Sequence, residues 1–376
     1  MRNTSLIGLT LALMLYPLQA LAEGRCLTHS PPLADAPDAV YQQFPADGPR
    51  QTAWLITYAH EPQQGLFITS AYFSRTPDDP WIKVLGRSGL AEMFVPYASG
   101  QPRFLDISTV NLDLLPAGPE DLGACGRLQD AGVIRELRDR GMIWKDHQRG
   151  RRGQELVLWG TLAAGNYSYL VEYVFRDDGS IAFRAAATGG NLPGQEAEVH
   201  IHNAMWRIDI DLNGGTNNSV QVMRHVVAQN CLTAEQLLEP FNKGKEGWLD
   251  WNAHEFSSLL VTDESMRNRR GNAAGYALIP VRSGSSYSFE SFTRHDFWVT
   301  RSKPDELFFK EVERYANGEP ITNTDVVVWH MSPVLHVPRD EDGEYRNGIW
   351  HGAALTMWAG LELRPRNLFA ATPFFP

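Results

Sequence analysis

Val199-His200-Ile201-His202-Asn203-Ala204-Met205-Trp206-Arg207-Ile208-Asp209-Ile210-Asp211-Leu212 reads as one β-strand that closes at Asn213-Gly214. Side chains alternate faces along a strand, so His200 and His202 share a face with Ala204, Trp206, Ile208, Ile210 and Leu212. That face belongs to a core. Two imidazoles in an apolar interior waste hydrogen-bonding capacity unless something ligates them. His336 offers a third nitrogen. It follows the apolar run Val326-Val327-Val328-Trp329 and reads as part of a Pro-bracketed turn, Pro333 to Pro338. Three histidines with open positions suit Cu, Zn or Fe, and Cu(II) binds nitrogen donors most tightly in the divalent series. His330 competes as third ligand, but its place beside the strand fits a supporting contact behind the ligands better.

Working outward, short apolar runs parted by turn residues recur along the chain. Strands are expected at 54–58, 66–73, 81–85, 93–97, 258–262, 276–281, 287–292, 297–301, 326–329 and 360–364. Residues 155–175 read as one long arm of a hairpin that turns at Asp177-Asp178-Gly179 and returns over 181–187. Helices are expected over 128–142, in a turn or two over 233–238, and over 304–317, where Phe308, Val312 and Tyr315 share a side before Gly318. No repeat or low-complexity tract breaks the pattern. The fold class is therefore mainly β: one large antiparallel β-sandwich with few short helices. Residues 1–22 read as a secretory signal, with Arg2, an apolar run and Ala20-Leu21-Ala22, so the mature chain is expected to be secreted or periplasmic and free of membrane. Residues 23–51, rich in Pro, Ala and Asp, read as an irregular lead-in, and 52–376 as a single domain.

A formal charge of −10 argues against nucleic acid and mildly favours cationic ligands. Cys26, Cys125 and Cys231 permit one disulfide and one spare thiol in an oxidising compartment, with the pairing open.

A second stretch, Ala164-Gly165-Asn166-Tyr167-Ser168-Tyr169, has a plain reading: Tyr167 is a core tyrosine in line with Tyr169, Val171, Tyr173 and Phe175. Together with the histidines it carries more. Asn166-Tyr167-Ser168-Tyr169, His200-Ile201-His202 with Arg207-Ile208-Asp209-Ile210-Asp211, and Asp325 to His330 through His336-Val337-Pro338-Arg339 resemble, in order, three motifs of the copper amine oxidases. Ala91-Glu92-Met93-Phe94-Val95-Pro96-Tyr97, Phe297 to Arg301 and Leu363-Arg364-Pro365 are similar to further stretches of that family, so the likeness covers about residues 52–373.

The resemblance implies copper held by His200, His202 and His336, and a topaquinone made in place from Tyr167 by copper and dioxygen. It implies Asn166 restraining the quinone ring, Tyr97 hydrogen-bonded to the cofactor, and Asp106 as catalytic base, with Asp113 fitting nearly as well. It implies a second, calcium-like ion on Asp209, the Ile210 carbonyl, Asp211 and Asp325, and a homodimer. The implied reaction takes a small primary amine and dioxygen to aldehyde, ammonia and hydrogen peroxide, the aspartate removing a proton from the carbon next to nitrogen. Ser168 stands where the family has Asp or Glu, and Ala163 where it has Ser or Thr. Those departures motivate an alternative, a copper-binding relative that has lost the quinone. A different mononuclear metalloenzyme on the same histidines is the third reading. Cys125 resembles half of a family disulfide, but the matching region 133–136 holds no cysteine.

Overall fold

The computed structural model describes residues 38–110, 112–227, 234–281 and 287–372. The secretory signal expected over 1–22 lies outside them. Two antiparallel sheets face each other. The first runs Ala39–Phe44, Thr52–Glu61, Gly65–Ser74, Ile82–Leu85, His200–Ile210, Val326–His336, Phe297–Arg301 and Gly247–Leu249, with Ser88–Pro96 joined to His200–Ile210 and to Gly65–Ser74. The second runs Ala234–Pro240, Asn218–Val227, Ser258–Arg267, Ala273–Val281, Ala354–Arg366, Ile181–Gly189, Tyr167–Arg176, Gly150–Ala164, Val133–Lys145 and Arg127–Asp130. A small ribbon, Gly343–Arg346 with Ile349–Gly352, stands apart.

The alternation predicted for the histidine strand is what joins the sheets. Ala204, Trp206, Ile208 and Ile210 enter the shared core, where they meet Tyr167, Tyr169, Val171, Tyr173 and Phe175 from the other sheet. The Trp206 ring lies edge-on to Phe183, with centroids 5.7 Å apart, and each large apolar side chain buried in this way contributes roughly 1.5–3 kcal/mol. The opposite face of the first sheet is covered too. Met205 and Trp329 pack there beneath Phe309, Val312 and Tyr315.

Several expectations are corrected. Residues 128–142 form strands, not a helix: Val133–Lys145 pairs along Gly150–Ala164, and its charges find partners distant in sequence, Arg138 reaching Glu172 and Arg140 the turn residue Asp177. The helical turn expected over 233–238 is the strand Ala234–Pro240, paired with Asn218–Val227. Of the helix expected over 304–317, only a 3-10 turn at Phe309–Glu311 and one α-turn at Val312–Tyr315 form. Residues 287–292 are not a strand; a 3-10 turn covers Ser291–Thr293. The lead-in is not wholly irregular, since Ala39–Phe44 alternates buried and half-buried residues and pairs with Thr52–Glu61. The long arm read over 155–175 is two strands, Gly150–Ala164 and Tyr167–Arg176, folded at Gly165-Asn166. His336 is not in a turn: the strand Val326–His336 runs straight through Pro333, which lies past the end of the pairing with Phe297–Arg301, where a missing N–H costs no ladder bond on that side.

Candidate metal centre and active site

Tyr167 owes its position to a two-residue turn. Gly165 sits at φ +69°, a conformation two-residue hairpins use and glycine adopts freely, so Ala164 pairs with Tyr167 and the strand begins at the tyrosine. Tyr167 then points into the sandwich from the second sheet. From the first sheet, His200 pairs directly with His336, and a bridge ties His200 to Tyr97 on its other side. The two sheets thus deliver a phenol and three imidazoles to one buried point.

The ligating atoms of His200, His202 and His336 all lie within 4.8 Å of one another, and each residue is at most 2% exposed. His200 Nδ1 donates to the Glu198 carbonyl at 2.9 Å, and His336 Nε2 donates to Asp342 Oδ2 at 2.9 Å. These bonds assign the tautomers and leave His200 Nε2 and His336 Nδ1 as lone-pair atoms 3.1 Å apart. Neither nitrogen of His202 has a hydrogen-bond partner. Burial lowers the His200 imidazole to about 4 and holds His202 well below its ordinary value, so both are neutral at pH 7. Neutral lone pairs converging in an apolar pocket repel unless a cation sits between them. The donor set therefore fits a nitrogen-seeking metal such as copper.

The Tyr167 hydroxyl is 3.0 Å from His200 Nε2 and 3.1 Å from His336 Nδ1, and it donates to Asn191 Oδ1 at 2.6 Å. Burial first, then the charges of Tyr97 and Asp342, push this phenol far above its ordinary value. The Tyr97 ring stacks on His200 with centroids 4.5 Å apart, and burial pushes its hydroxyl up to about 12. A cavity of about 250 Å³ opens beside Tyr167, lined among others by Tyr97, Phe104, Asp106, Asn166, Tyr169 and Leu192. Asp106 is its one carboxylate. Burial raises that carboxyl to about 7, against a hydrogen bond from Tyr169 and with help from the charge of Glu92. Asp113, the other candidate base, is exposed and pairs with Ala163 at the edge of the hairpin.

The remaining residues singled out in the sequence divide between this site and others. Asn166 is in the turn and accepts the Gly190 N–H through its carbonyl at 2.9 Å. Ser168 and Ala163, the two departures from the family pattern, lie directly opposite each other in the hairpin, one residue out of phase with Tyr167 and Leu162, so they face away from the metal pocket. His330 is not in the histidine cluster; it bonds the Asp296 carbonyl and stacks on Phe297. Asp209, Asp211 and Asp325 gather at the far end of the same two strands, where Lys83 binds Asp211 and Arg207 approaches Asp209 at 3.4 Å. The Ile210 carbonyl accepts the Asn218 side chain at 2.7 Å.

Sequence reasoning missed four contributors. Asn191 touches Tyr167. Tyr169 donates to Asp106. Asp342 orients His336 and is itself gripped by Arg339 through its backbone at 2.9 Å and its guanidinium at 2.7 and 3.2 Å. Burial raises Asp342, but the bonds from Arg339 and His336 outweigh it and hold the carboxyl at about 2. Glu92, fully buried, accepts the Ile107 N–H at 2.9 Å and the Ser108 hydroxyl, and so pins the turn that carries Asp106. Only the Arg339-to-Asp342 spacing was visible in the sequence.

Comparison with known proteins agrees with this geometry. Residues 192–375 match the model of the copper amine oxidase enzyme domain. The chain is 25% identical to copper amine oxidase 1 of Aspergillus niger over 396 aligned residues, covering 85% of this chain and 56% of that one. It is 24% identical to histamine oxidase of Arthrobacter globiformis over 396 residues, covering 85% of this chain and 55% of that one. The chain spans about half the length of these curated relatives. In structure it resembles the copper-containing benzylamine oxidase of Hansenula polymorpha, with a TM-score of 0.70 at 18% identity over 94% of this chain and 65% of that one. Aspergillus nidulans amine oxidase gives 0.64 at 17% over 99% and 56%. Residues 192–375 are thus similar to the copper amine oxidase enzyme domain, and the sandwich is the fold of the solved amine oxidases.

Proposed function

We propose that the chain is a copper-dependent primary-amine oxidase carrying a quinone made from its own Tyr167. One observation carries the reading: the Tyr167 hydroxyl stands within 3.1 Å of two of three clustered imidazoles while its ring borders the cavity that holds Asp106. His200, His202 and His336 would hold copper, which with dioxygen supplies the oxidation of the Tyr167 ring to topaquinone. Asp106 takes the proton from the carbon next to the amine nitrogen. A carboxyl near 7 is about half ionised at neutral pH, so it can accept that proton and later return it. Tyr169 fixes one Asp106 oxygen and leaves the other for the substrate. Tyr97 and Asn166 flank the ring and limit its swing. Val95, Phe104 and Leu192 keep water from the proton transfer. Aldehyde, ammonia and hydrogen peroxide leave.

Three further features belong to the same reading. A second, calcium-like ion at Asp209, Asp211 and Asp325 is supported by three buried carboxylate oxygens without hydrogen-bond partners, one on each residue. A homodimer is supported by Tyr345 and Ile349 on the small ribbon and by Leu335 and Leu355, large side chains all more than half exposed. A periplasmic or secreted location is supported by Cys125, which is disulfide-bonded. Among the described residues no helix is long and apolar enough to cross a membrane.

The decisive experiment adds copper in air to the purified protein, then phenylhydrazine. A coloured adduct on the Tyr167 peptide, absent in Tyr167→Phe, together with peroxide release on adding simple primary amines, is expected. Bound copper beside an unmodified Tyr167 would instead identify a relative that has lost the quinone.

A further inference from the structure

The geometry points to Asn191 as a positioning residue, one that turns the Tyr167 hydroxyl so that its lone pairs face the three-histidine pocket. Asn191 is 1% exposed. Its Nδ2 donates to the Glu196 carbonyl at 2.5 Å, which assigns the other end of the amide, Oδ1, to the Tyr167 hydroxyl 2.6 Å away. An amide oxygen only accepts, so the phenol proton lies on the Asn191 side. The oxygen's lone pairs then face His200 Nε2 at 3.0 Å and His336 Nδ1 at 3.1 Å. Each of those two rings carries its one N–H on the opposite nitrogen and has spent it, His200 on the Glu198 carbonyl and His336 on Asp342. Three lone-pair atoms therefore meet with no proton among them. Without Asn191 the same hydroxyl would donate to one imidazole, a favourable bond that fills the pocket with a proton and consumes a metal ligand's lone pair. Asn191 competes for that proton and keeps the pocket open for a cation.

The loop is built to bring Asn191 there. Gly189 has φ +120°, and a Cβ on it would lie 2.7 Å from the Asn166 carbonyl oxygen. A Cβ on Gly352 would lie 1.8 Å from the Gly190 Cα. The chain thus crosses the Tyr167 hairpin at backbone contact and delivers the next residue, Asn191, to the hydroxyl.

This inference rests on the amine-oxidase reading only for what the oxygen later undergoes; the metal pocket can be tested alone. Cu(II) is titrated under argon into metal-free wild type, Asn191→Leu, Tyr167→Phe and the double variant. Affinity is read by competition, and the copper environment by paramagnetic resonance. Asn191→Leu is expected to weaken Cu(II) binding about tenfold, the worth of one buried hydrogen bond, and to change the resonance spectrum. In the Tyr167→Phe background the same change should have no effect, because no hydroxyl proton remains to compete. Wild-type affinity and spectrum in Asn191→Leu, or an effect that persists without the hydroxyl, would overturn the proposal. Should the leucine variant not fold, Asn191→Ala replaces it in both backgrounds with the same two readings. An unmodified Tyr167 in aerated wild type would sink the oxidase reading and leave this comparison intact.

Discussion

One pair of strands, His200–Ile210 and Val326–His336, carries a cluster of cation-seeking side chains at each end. At one end three imidazoles converge. At the other, Asp209, Asp211 and Asp325 gather, and among the described residues only the histidines bring three ligating atoms within 4.8 Å of one another. The difference lies in who neutralises whom. Carboxylates can draw on the protein's own cations, and Lys83 and Arg207 answer them. His200 and His336, whose N–H groups are already spent, present only lone pairs to the pocket, and among the described residues no side-chain cation pairs with them. Arg339 stops one residue short, on Asp342 behind His336. One end is thus largely satisfied from within, while the other stays open to an exogenous ion.

The sharpest way to break this contrast is His202→Ala. It removes the imidazole whose two nitrogens have no partner, so Cu(II) affinity should fall by at least about a hundredfold, the upper range reached by changes merely behind a ligand. Asp209→Asn at the far end should leave Cu(II) affinity unchanged; competition titration of both variants checks the pair. Asp106 extends the comparison to a carboxylate with no cation beside it among the described residues. Asp106→Asn should lower amine oxidation by about 10²–10⁴, the span of a lost general base. It should also stabilise the fold at pH 8. The folded carboxyl sits near 7 and the ordinary value is 3.8, so between them the folded state keeps a proton that the unfolded chain has released. Stability therefore falls as pH rises through that window, and the variant escapes about 2 kcal/mol or more of that loss. Thermal melts at pH 4 and pH 8 should show the gain at pH 8 only.

How much of this was legible in the sequence follows from distance along the chain. The His200 strand was readable because its alternation is local: every second residue from His200 to Leu212 belongs to one face. The pairing of His200 with His336 was not, because it joins residues more than a hundred apart and Pro333 read as a turn. Residues 128–142 misled by their charge spacing, whose partners come from elsewhere in the sheet: Glu172 from another strand and Asp177 from the turn that follows it. Asn191 was invisible, since its role depends on a loop crossing the Tyr167 hairpin. The departures Ser168 and Ala163 looked threatening in sequence. Their placement opposite each other on the outward face makes them one paired change away from the pocket.

Asp342→Asn probes the layer behind the histidines. The Arg339 contacts hold Asp342 in place, and its carboxylate takes the His336 N–H. Losing that charge should weaken Cu(II) binding about 10–100-fold, less than losing a ligand, by the same titration.

The smallest effect should come from the far end, and it tests the contrast most directly. Burial works against the Lys83 ammonium, yet its bond to Asp211 outweighs that and keeps it charged. Lys83→Met removes this built-in cation while retaining the apolar stem. The aspartates then repel one another with Arg207 alone to answer them, so the variant should melt a few degrees lower, a loss of about 1 kcal/mol for a chain this long. Calcium should restore more of that loss in Lys83→Met than it adds to wild type, because a hard divalent ion suits three carboxylates once the ammonium is gone. Cu(II) affinity at the histidine end should not move. Equal calcium responses in the two proteins would mean that Lys83 does not compete for the aspartates, and the two ends would then differ in donor chemistry alone.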